Sequence, residues 1–129
     1  MQVLQTQRSE KSYTLEVDAT TLKRVKVTVR GEIDLAVADC WLEELVNLAE
    51  PLTKRLAIEI GPIEIMLDCQ EAFLDTFGLR KLQGACEFYQ QLGFKIRIQT
   101  NHKIRFWIER LVPYLAKLLT PISDLASVN

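Results

Sequence analysis

An acidic residue and a hydroxyl residue stand side by side where an apolar run changes into a helical pattern. In the segment EAFLDTFGLRKL (71–82), Asp75 and Thr76 are both candidate caps at the helix start, and the bulky Phe77 follows them. One capping side chain suffices at a helix start, because its oxygen accepts a hydrogen bond from a free backbone N–H. An Asp there gains also from the helix dipole. Either the two residues serve only as a cap, or one of them has a further role.

Other residues with reactive side chains lack the pattern of a catalytic or metal site. His102 is the only histidine, and no Gly-x-Ser-x-Gly elbow or catalytic cysteine signature accompanies it. A metal or acid–base cluster would need four acids that are more typical of solvated or capping positions: Glu32, Asp34, Asp68 and Asp75. The five glycines are scattered, so no loop cradles a phosphate. We expect no catalytic residue, no metal and no cofactor, and therefore no enzyme.

Composition indicates a single domain, spanning residues 1–129, with no nucleic-acid partner. The chain has 129 residues, of which 48% are hydrophobic and 26% charged, as in ordinary globular proteins. Its net charge of −1 argues against bulk attraction to nucleic acid or anionic lipid. A nucleic-acid site would use four cations, but exposed aromatics are not interleaved with them: Lys95, Arg97, Lys103 and Arg105.

Cysteines and hydropathy favour a cytoplasmic location. The three cysteines Cys40, Cys69 and Cys86 are widely spaced and odd in number, which is typical of buried thiols in a reducing compartment. The polar start of the chain does not resemble a signal peptide. No apolar run has the length of a transmembrane segment. We expect loose ends at residues 1–10 and in the tail SDLASVN.

The first half of the chain predicts two strands and then a helix. Residues 12–17 and 25–31 alternate as strands do. Between Leu35 and Glu50 the period becomes helical, with Pro51 marking the end. The predicted inward face is Ala38, Trp41, Leu42, Leu45, Leu48 and Ala49. The pair Gly61-Pro62 interrupts the next run, so residues 55–60 form either an added strand or an irregular path before a buried strand at 63–68.

The second half predicts helix, strand and helix. A helix over 76–92 ends at Gly93 and turns six side chains inward: Leu79, Leu82, Ala85, Cys86, Tyr89 and Leu92. Residues 94–100 alternate as a strand, and a further helix is interrupted near Pro113. Its apolar stripe is expected in the core, with a membrane-surface or partner-docking role as the alternative: Phe106, Trp107, Ile108, Leu111 and Leu115. The order β-β-α-β-α-β-α predicts an α/β fold, a mixed sheet with crossover helices packed on it.

Four motifs in order resemble the STAS domain of bacterial anti-sigma-factor antagonists. They are a strand ending in Gly-Glu-Ile-Asp (31–34), the helix entry Phe-Leu-Asp-Thr-x-Gly-Leu (73–79), the strand FKIRIQT (94–100), and the helix opening NHKIRFWIERL (101–111). The resemblance covers about residues 12–111, with 112–129 as a helical extension and tail. Two departures are Phe77, where members of the family keep a second Ser or Thr, and a longer span between the first two motifs.

The resemblance implies a regulatory module that is switched by phosphate. In the family, the hydroxyl residue after the Asp is phosphorylated by a partner serine/threonine kinase, often an anti-sigma factor of the histidine-kinase-like ATPase type, and a PP2C-like phosphatase reverses the step. This assigns phosphorylation to Thr76 and partner binding to five residues: Asp34, Asp75, Phe77, Leu79 and Arg80. The unmodified protein would bind the kinase or anti-sigma factor and so release a sigma factor, which acts in transcription, or another client.

The alternative function belongs to another class. STAS-like domains also serve as small cytoplasmic subunits of membrane transport ATPase assemblies, without regulation by phosphorylation. Both functions use the same helix start. A phosphate on Thr76 would add about 1.5–2 negative charges there, and the helix N–H groups could hold it without unfolding the domain.

Overall fold

The computed structural model describes residues 3–6, 12–19, 23–58 and 63–120. Within these ranges there are five strands, four helices and a short 3-10 helix, Pro113–Leu118. The strands are Val3–Thr6 (β1), Tyr13–Asp18 (β2), Arg24–Ile33 (β3), Glu64–Leu74 (β4) and Lys95–Thr100 (β5). The helices are Ala38–Asn47 (α1), Ala49–Ile58 (α2), Thr76–Gln91 (α3) and His102–Leu111 (α4).

The strands form one mixed sheet in the order β1-β2-β3-β4-β5. Strand β2 is antiparallel to both its neighbours, β1 and β3, while β4 pairs parallel with both β3 and β5. Parallel neighbours need crossover connections, which α1 with α2 and then α3 supply. The expected α/β class and the pairing of strand 25–31 with the buried strand are confirmed.

The sheet has one apolar face and one charged face. Alternate residues of β2 to β5 are buried with α1 and α3, which pack against each other. The Tyr89 hydroxyl of α3 donates a hydrogen bond to the carbonyl of Leu45 in α1. On the opposite face, ion pairs join β3 to β4, including Arg24–Glu64 at 3.0 Å and Lys26–Asp68 at 3.4 Å. This separation of faces is the period-two pattern seen in the sequence.

A bulge near the end of β4 turns its side chains over. Thr28 pairs with Asp68 but Arg30 pairs with Glu71, so β4 places two residues opposite one residue of β3. Before the bulge the odd-numbered residues of β4 are buried, whereas beyond it Ala72 is buried and Phe73 exposed. A strand whose register slips by one residue exchanges its faces. The bulge therefore directs Phe73 outward beside the start of α3.

Three predictions about the first half were wrong. Residues Val3–Thr6 are not loose but pair with β2. Pro51 does not end a helix: the first helix stops at Asn47, and Pro51 lies in the first turn of α2, where a missing N–H costs no hydrogen bond. The run after it is helical to Ile58, neither strand nor irregular, while the breaker pair Gly61-Pro62 lies outside the described residues.

The second half matches its predicted elements, with one face misjudged. Helix α3 ends at Gln91, and Gly93 has the positive φ of 99° that suits a residue just past a helix. Of the apolar stripe expected in the core, only Ile108 and Leu115 are buried. The exposed members are Phe106, Trp107 and Leu111, because α4 packs through the narrower row of Ile104 and Ile108. The tail SDLASVN lies outside the described residues.

Candidate functional site

A groove of about 420 Å³ lies where the carboxyl ends of β3 and β4 meet the starts of α3 and α4. Such an edge is the usual ligand position in sheets with parallel strands. Four segments line the groove: Glu32, Ile33 and Asp34 after β3; Ala72, Phe73 and Leu74 of β4; Asp75, Thr76 and Leu79 of α3; and Asn101, Lys103, Ile104, Trp107 and Leu111 at α4. Four of the predicted site residues therefore line the same groove: Asp34, Asp75, Thr76 and Leu79.

Asp75 is the cap of α3, and Thr76 is not. The Asp75 backbone is extended, and its Oδ1 accepts a hydrogen bond from the backbone N–H of Gly78 at 2.9 Å. The Leu79 N–H donates to the Asp75 carbonyl at 2.9 Å, which is the first helical hydrogen bond. Thr76 is thus the first helical residue, and its side chain is exposed. Within the described residues, its hydroxyl has no hydrogen-bond partner.

Close packing against β3 fixes where α3 begins. The Asp75 N–H donates to the Ile33 carbonyl at 3.3 Å. A Cβ added to Gly78 would approach that same carbonyl oxygen to 2.7 Å, closer than van der Waals contact allows. The glycine of the helix-entry motif therefore lets the first turn of α3 sit directly on the end of β3. This contact holds Thr76 beside the groove.

Asp34 belongs to the turn that opposes the α3 start. Its Oδ1 accepts from the Ala36 N–H at 3.0 Å, and its carbonyl accepts from the Ala38 N–H at 2.8 Å. These bonds shape the connection from β3 to α1, and the side chain of Asp34 is exposed. Three carboxylates and one ammonium among the groove's lining residues give it a formal charge of −2. The cation is Lys103.

The remaining predicted residues differ in accessibility. Phe77 is 44% exposed, which confirms the expected exposure, and Arg80 is exposed as well. Leu79 is only 1% exposed, so it can meet a partner only as part of the groove's floor. The helical period explains the difference, because Leu79 shares its face with buried Leu82, while Phe77 and Arg80 point away from it. Their roles in binding stay predictions.

Much of the groove was not foreseen from the sequence. Asn101 caps α4, with its Oδ1 accepting from the Ile104 N–H at 2.8 Å, and an Asn between a strand and a helix is a recognisable signal for this. Its amide also donates to the carbonyls of Gln70 at 3.0 Å and Ala72 at 3.3 Å. The exposure of Phe73 depends on the bulge, which no local pattern announced. Exposed Leu35, in the turn after Asp34, was also missed.

The described side chains form neither a metal site nor an activated cysteine. Of the four acids considered for a metal or acid–base cluster, Asp68 lies on the charged face of the sheet with Lys26, away from the other three. In the described part of the chain, no three His, Cys, Asp or Glu side chains are close enough to hold a metal ion. Burial raises the pKa of the Cys86 thiol to about 12, and it raises that of Cys69 further, so neither is an activated nucleophile. His102 is exposed beside the Asn101 cap.

In the described ranges, no helix is both long enough and apolar enough to span a bilayer.

Comparison with known proteins connects this geometry to one family. The family model of the STAS domain matches residues 16–104, which is well over half of the 129 residues. That match contains the turn with Asp34, the start of α3, and the Asn101 cap. No curated protein sequence matches the chain significantly.

Solved structures share the fold at low sequence identity. An anti-sigma factor antagonist from Mycobacterium paratuberculosis superimposes with a TM-score of 0.65 and 19% identity, covering 91% of this chain and 93% of the other. The anti-sigma factor antagonist SpoIIAA in its unphosphorylated form gives 0.56 and 12%, covering 88% and 95%. Murine solute carrier 26 family member A9, an anion transporter in the inward-facing state, gives 0.54 and 16%, covering 83% of this chain but 18% of the transporter.

Proposed function

The chain belongs to the STAS domain family, and we propose that it is a non-enzymatic regulatory module whose binding to a partner is switched by phosphate on Thr76. One observation carries this proposal. Asp75 satisfies the helix start alone, through the 2.9 Å bond to the Gly78 N–H. The neighbouring hydroxyl is therefore not needed for the cap, and it stands exposed at the rim of a groove.

The start of α3 can hold a phosphate on Thr76 without reorganising. Two N–H groups of the first turn, those of Thr76 and Phe77, lie at positions that have no partner within a helix. They and the helix dipole favour an anion. The side chain is outside the core, so no buried contact is lost. We expect the fold to change little when the phosphate is added.

The electrostatics of the groove would change strongly. The lining residues carry a formal charge of −2, and the phosphate would add about 1.5–2 further negative charges. Asp75 is next to Thr76, and Asp34 lines the same groove. A partner seated against this surface would meet about twice the negative charge. Binding can therefore be lost through charge alone.

The surface around Thr76 supplies apolar anchors for a partner. Phe77 and Leu35 are both large, apolar and exposed, and Phe73 stands at the groove itself. Exposed aromatic side chains of this kind are frequent hot spots of protein interfaces. The partner that fits the family is a serine/threonine kinase or anti-sigma factor of the histidine-kinase-like ATPase type, with a PP2C-like phosphatase removing the phosphate. The likeness to two anti-sigma factor antagonists, one in an unphosphorylated form, supports this choice.

The test is a capture experiment with the full chain and three variants. The original chain and Thr76→Ala should retain the same protein from a lysate of the native cell, and Thr76→Asp should retain much less. The captured kinase, incubated with ATP and the chain, should place phosphate on Thr76. Thr53→Ala is the matched control, since Thr53 is also an exposed helical threonine, and it should be phosphorylated like the original. Phosphate on another residue, with an active kinase, would refute the switch.

A second candidate is a subunit of a membrane transport assembly that phosphate does not regulate. The fold likeness to part of an anion transporter favours it, because that chain contains a region superimposable on 83% of this one. The same capture experiment separates the two. A transport ATPase retained equally by Thr76→Ala and Thr76→Asp would support the subunit function.

A further inference from the structure

The outer side of α4 carries an exposed surface that begins at the groove beside Thr76 and extends beyond it. It consists of Lys103, Phe106, Trp107, Arg110 and Leu111, spaced three or four residues apart along the helix. With Phe73 of β4 they form what we call the α4 patch. Residues at these spacings share one side of a helix. The buried residues Ile104 and Ile108 occupy the other side, so the patch faces outward.

Contacts between side chains make the patch continuous. The Lys103 ammonium lies 5.7 Å from the centre of the Phe73 ring. The rings of Phe106 and Trp107 meet edge to face at 5.2 Å, and the Arg110 guanidinium lies 4.2 Å above the Phe106 ring. Aromatic rings and cations are thus interleaved, with no acid among the six. Three acids, Glu32, Asp34 and Asp75, line the adjoining groove. The acid Glu109 lies on the adjoining side of the helix, where it pairs with Arg105 at 3.4 Å.

We propose that the α4 patch binds the surface of an anionic lipid bilayer. Half-exposed aromatic rings beside Lys and Arg match the headgroup region, where rings insert at the boundary and cations contact anionic headgroups. The chain's net charge of −1 gives no bulk attraction, so the attraction comes from the two cations of the patch, Lys103 and Arg110. Four residues of the patch also line the groove beside Thr76, whereas Phe106 and Arg110 lie outside it.

The chain contains its own reporter for this contact. Of its two tryptophans, Trp41 is fully buried at 0% exposure, whereas Trp107 in the patch is 40% exposed. A blue shift of the tryptophan emission on adding vesicles therefore comes from Trp107. Quenching by brominated lipid would show that this ring enters the bilayer boundary.

The experiment compares two charge-matched variants of the full chain. Lys103→Gln with Arg110→Gln removes two cations from the patch, and Lys95→Gln with Arg97→Gln removes two exposed cations from β5. We measure co-sedimentation and tryptophan emission with phosphatidylcholine vesicles, with and without phosphatidylserine. The original chain should bind the phosphatidylserine vesicles with a blue shift and bromolipid quenching. The patch variant should lose about 25-fold in affinity, or about fivefold per cation, and the β5 variant should lose little.

Three results would overturn the proposal. The first is no binding to phosphatidylserine vesicles, and the second is equal loss by both variants, which would make net charge the cause. The third is patch-dependent binding that soluble polyglutamate prevents and that brominated lipid does not quench, which indicates an acidic protein surface instead. Thr76→Ala should bind vesicles like the original, so failure of this proposal and failure of the phosphate switch are distinguishable.

Discussion

Helices α3 and α4 begin with the same capping geometry, but their two cap residues make different further contacts. Each follows a parallel strand, and each has a cap residue in extended conformation whose side chain accepts from the N–H three residues on, at 2.9 Å from Asp75 and 2.8 Å from Asn101. Asn101 also donates to two carbonyls of β4, so it joins the helix to the sheet. Asp75 carries a charge and has the exposed Thr76 beside it. The side chain of the α4 cap therefore bonds to the sheet, whereas the α3 cap has an exposed hydroxyl beside it.

The two helices also differ in how many of their residues are buried. Six residues of α3 are buried along its whole length, whereas α4 buries only Ile104 and Ile108. A helix so firmly held can present its first turn as a rigid surface. A helix attached by one narrow stripe has most of its surface free for contacts. The comparison predicts that substitutions will separate stability from binding in different places on the two helices.

The largest effect on stability should come from the buried face of α3. Leu82 is fully buried, so Leu82→Ala should lower the free energy of unfolding by about 2–5 kcal/mol, the cost of lost burial plus a cavity. Phe106→Ala on the open side of α4 is the comparison, and it should cost less than about 0.5 kcal/mol. Denaturant melts measure both. A Leu82→Ala cost below about 0.5 kcal/mol would contradict the packing of α3.

Replacing either of two glycines of α3 by alanine should change the free energy of unfolding, but in opposite directions. Gly78→Ala should destabilise by about 1–3 kcal/mol, because the new methyl group meets the Ile33 carbonyl. Gly84 has no atom within 4 Å of a Cβ position, so Gly84→Ala should stabilise by about 0.5–1 kcal/mol. Thermal melts of the two variants decide. Equal effects would mean that the close contact between α3 and β3 does not fix the helix start.

Replacing Asn101 by Asp and Asp75 by Asn tests the contrast between the two caps. Asn101→Asp keeps the capping oxygen but loses the donors to the Gln70 and Ala72 carbonyls, and should cost about 1–2 kcal/mol. Asp75→Asn keeps its capping oxygen and loses only the charge at the helix dipole, about 0.3–1 kcal/mol. Chemical denaturation gives both values. If Asp75→Asn costs more than Asn101→Asp, the division between a structural and a signalling start is wrong.

Replacing Phe77 should have the smallest effect on stability but a large effect on partner binding. Phe77 is exposed on α3, so Phe77→Ser should change the free energy of unfolding by less than about 0.5 kcal/mol. It should weaken partner binding at least fivefold, or by about 1 kcal/mol or more, as loss of an aromatic anchor does. Phe106→Ser is the matched control, with unchanged partner binding and weaker vesicle binding. A collapsed melt of Phe77→Ser would place this ring in the core.

The sequence predicted the elements that local patterns determine. The alternation of Val25, Val27 and Val29 and the helical period from Leu79 to Tyr89 were sufficient for β3 and α3, and the order of motifs led to the family. The bulge in β4 was not predictable, because it arises from pairing with β3 over a distance in the chain. Phe73 and the groove depend on it. Pro51 was misjudged because proline marks a helix's first turn as readily as the region beyond its end.

The residues of the site could be predicted from the sequence, but which of them caps α3 could not. Asp75 and Thr76 both suit a cap, and only the bond from Gly78 to Asp75 shows which of them does it. Likewise, the stripe of α4 contained enough apolar residues for a core, but the sheet beneath it accommodates one row. Phe106, Trp107 and Leu111 were left exposed by that tertiary limit, and helical periodicity alone could not show which row would be buried.

The most direct test of the account compares the unmodified and the Thr76-phosphorylated chain in one calorimetric titration with the captured partner, beside a melt of each form. The account predicts that phosphate weakens binding at least tenfold, or by about 1.4 kcal/mol. The free energy of unfolding should change by less than about 1 kcal/mol, since Asp75 continues to cap α3 and the phosphate lies at the favourable end of the helix dipole. Unchanged affinity, or a loss of affinity that follows a loss of folded structure, would contradict the account.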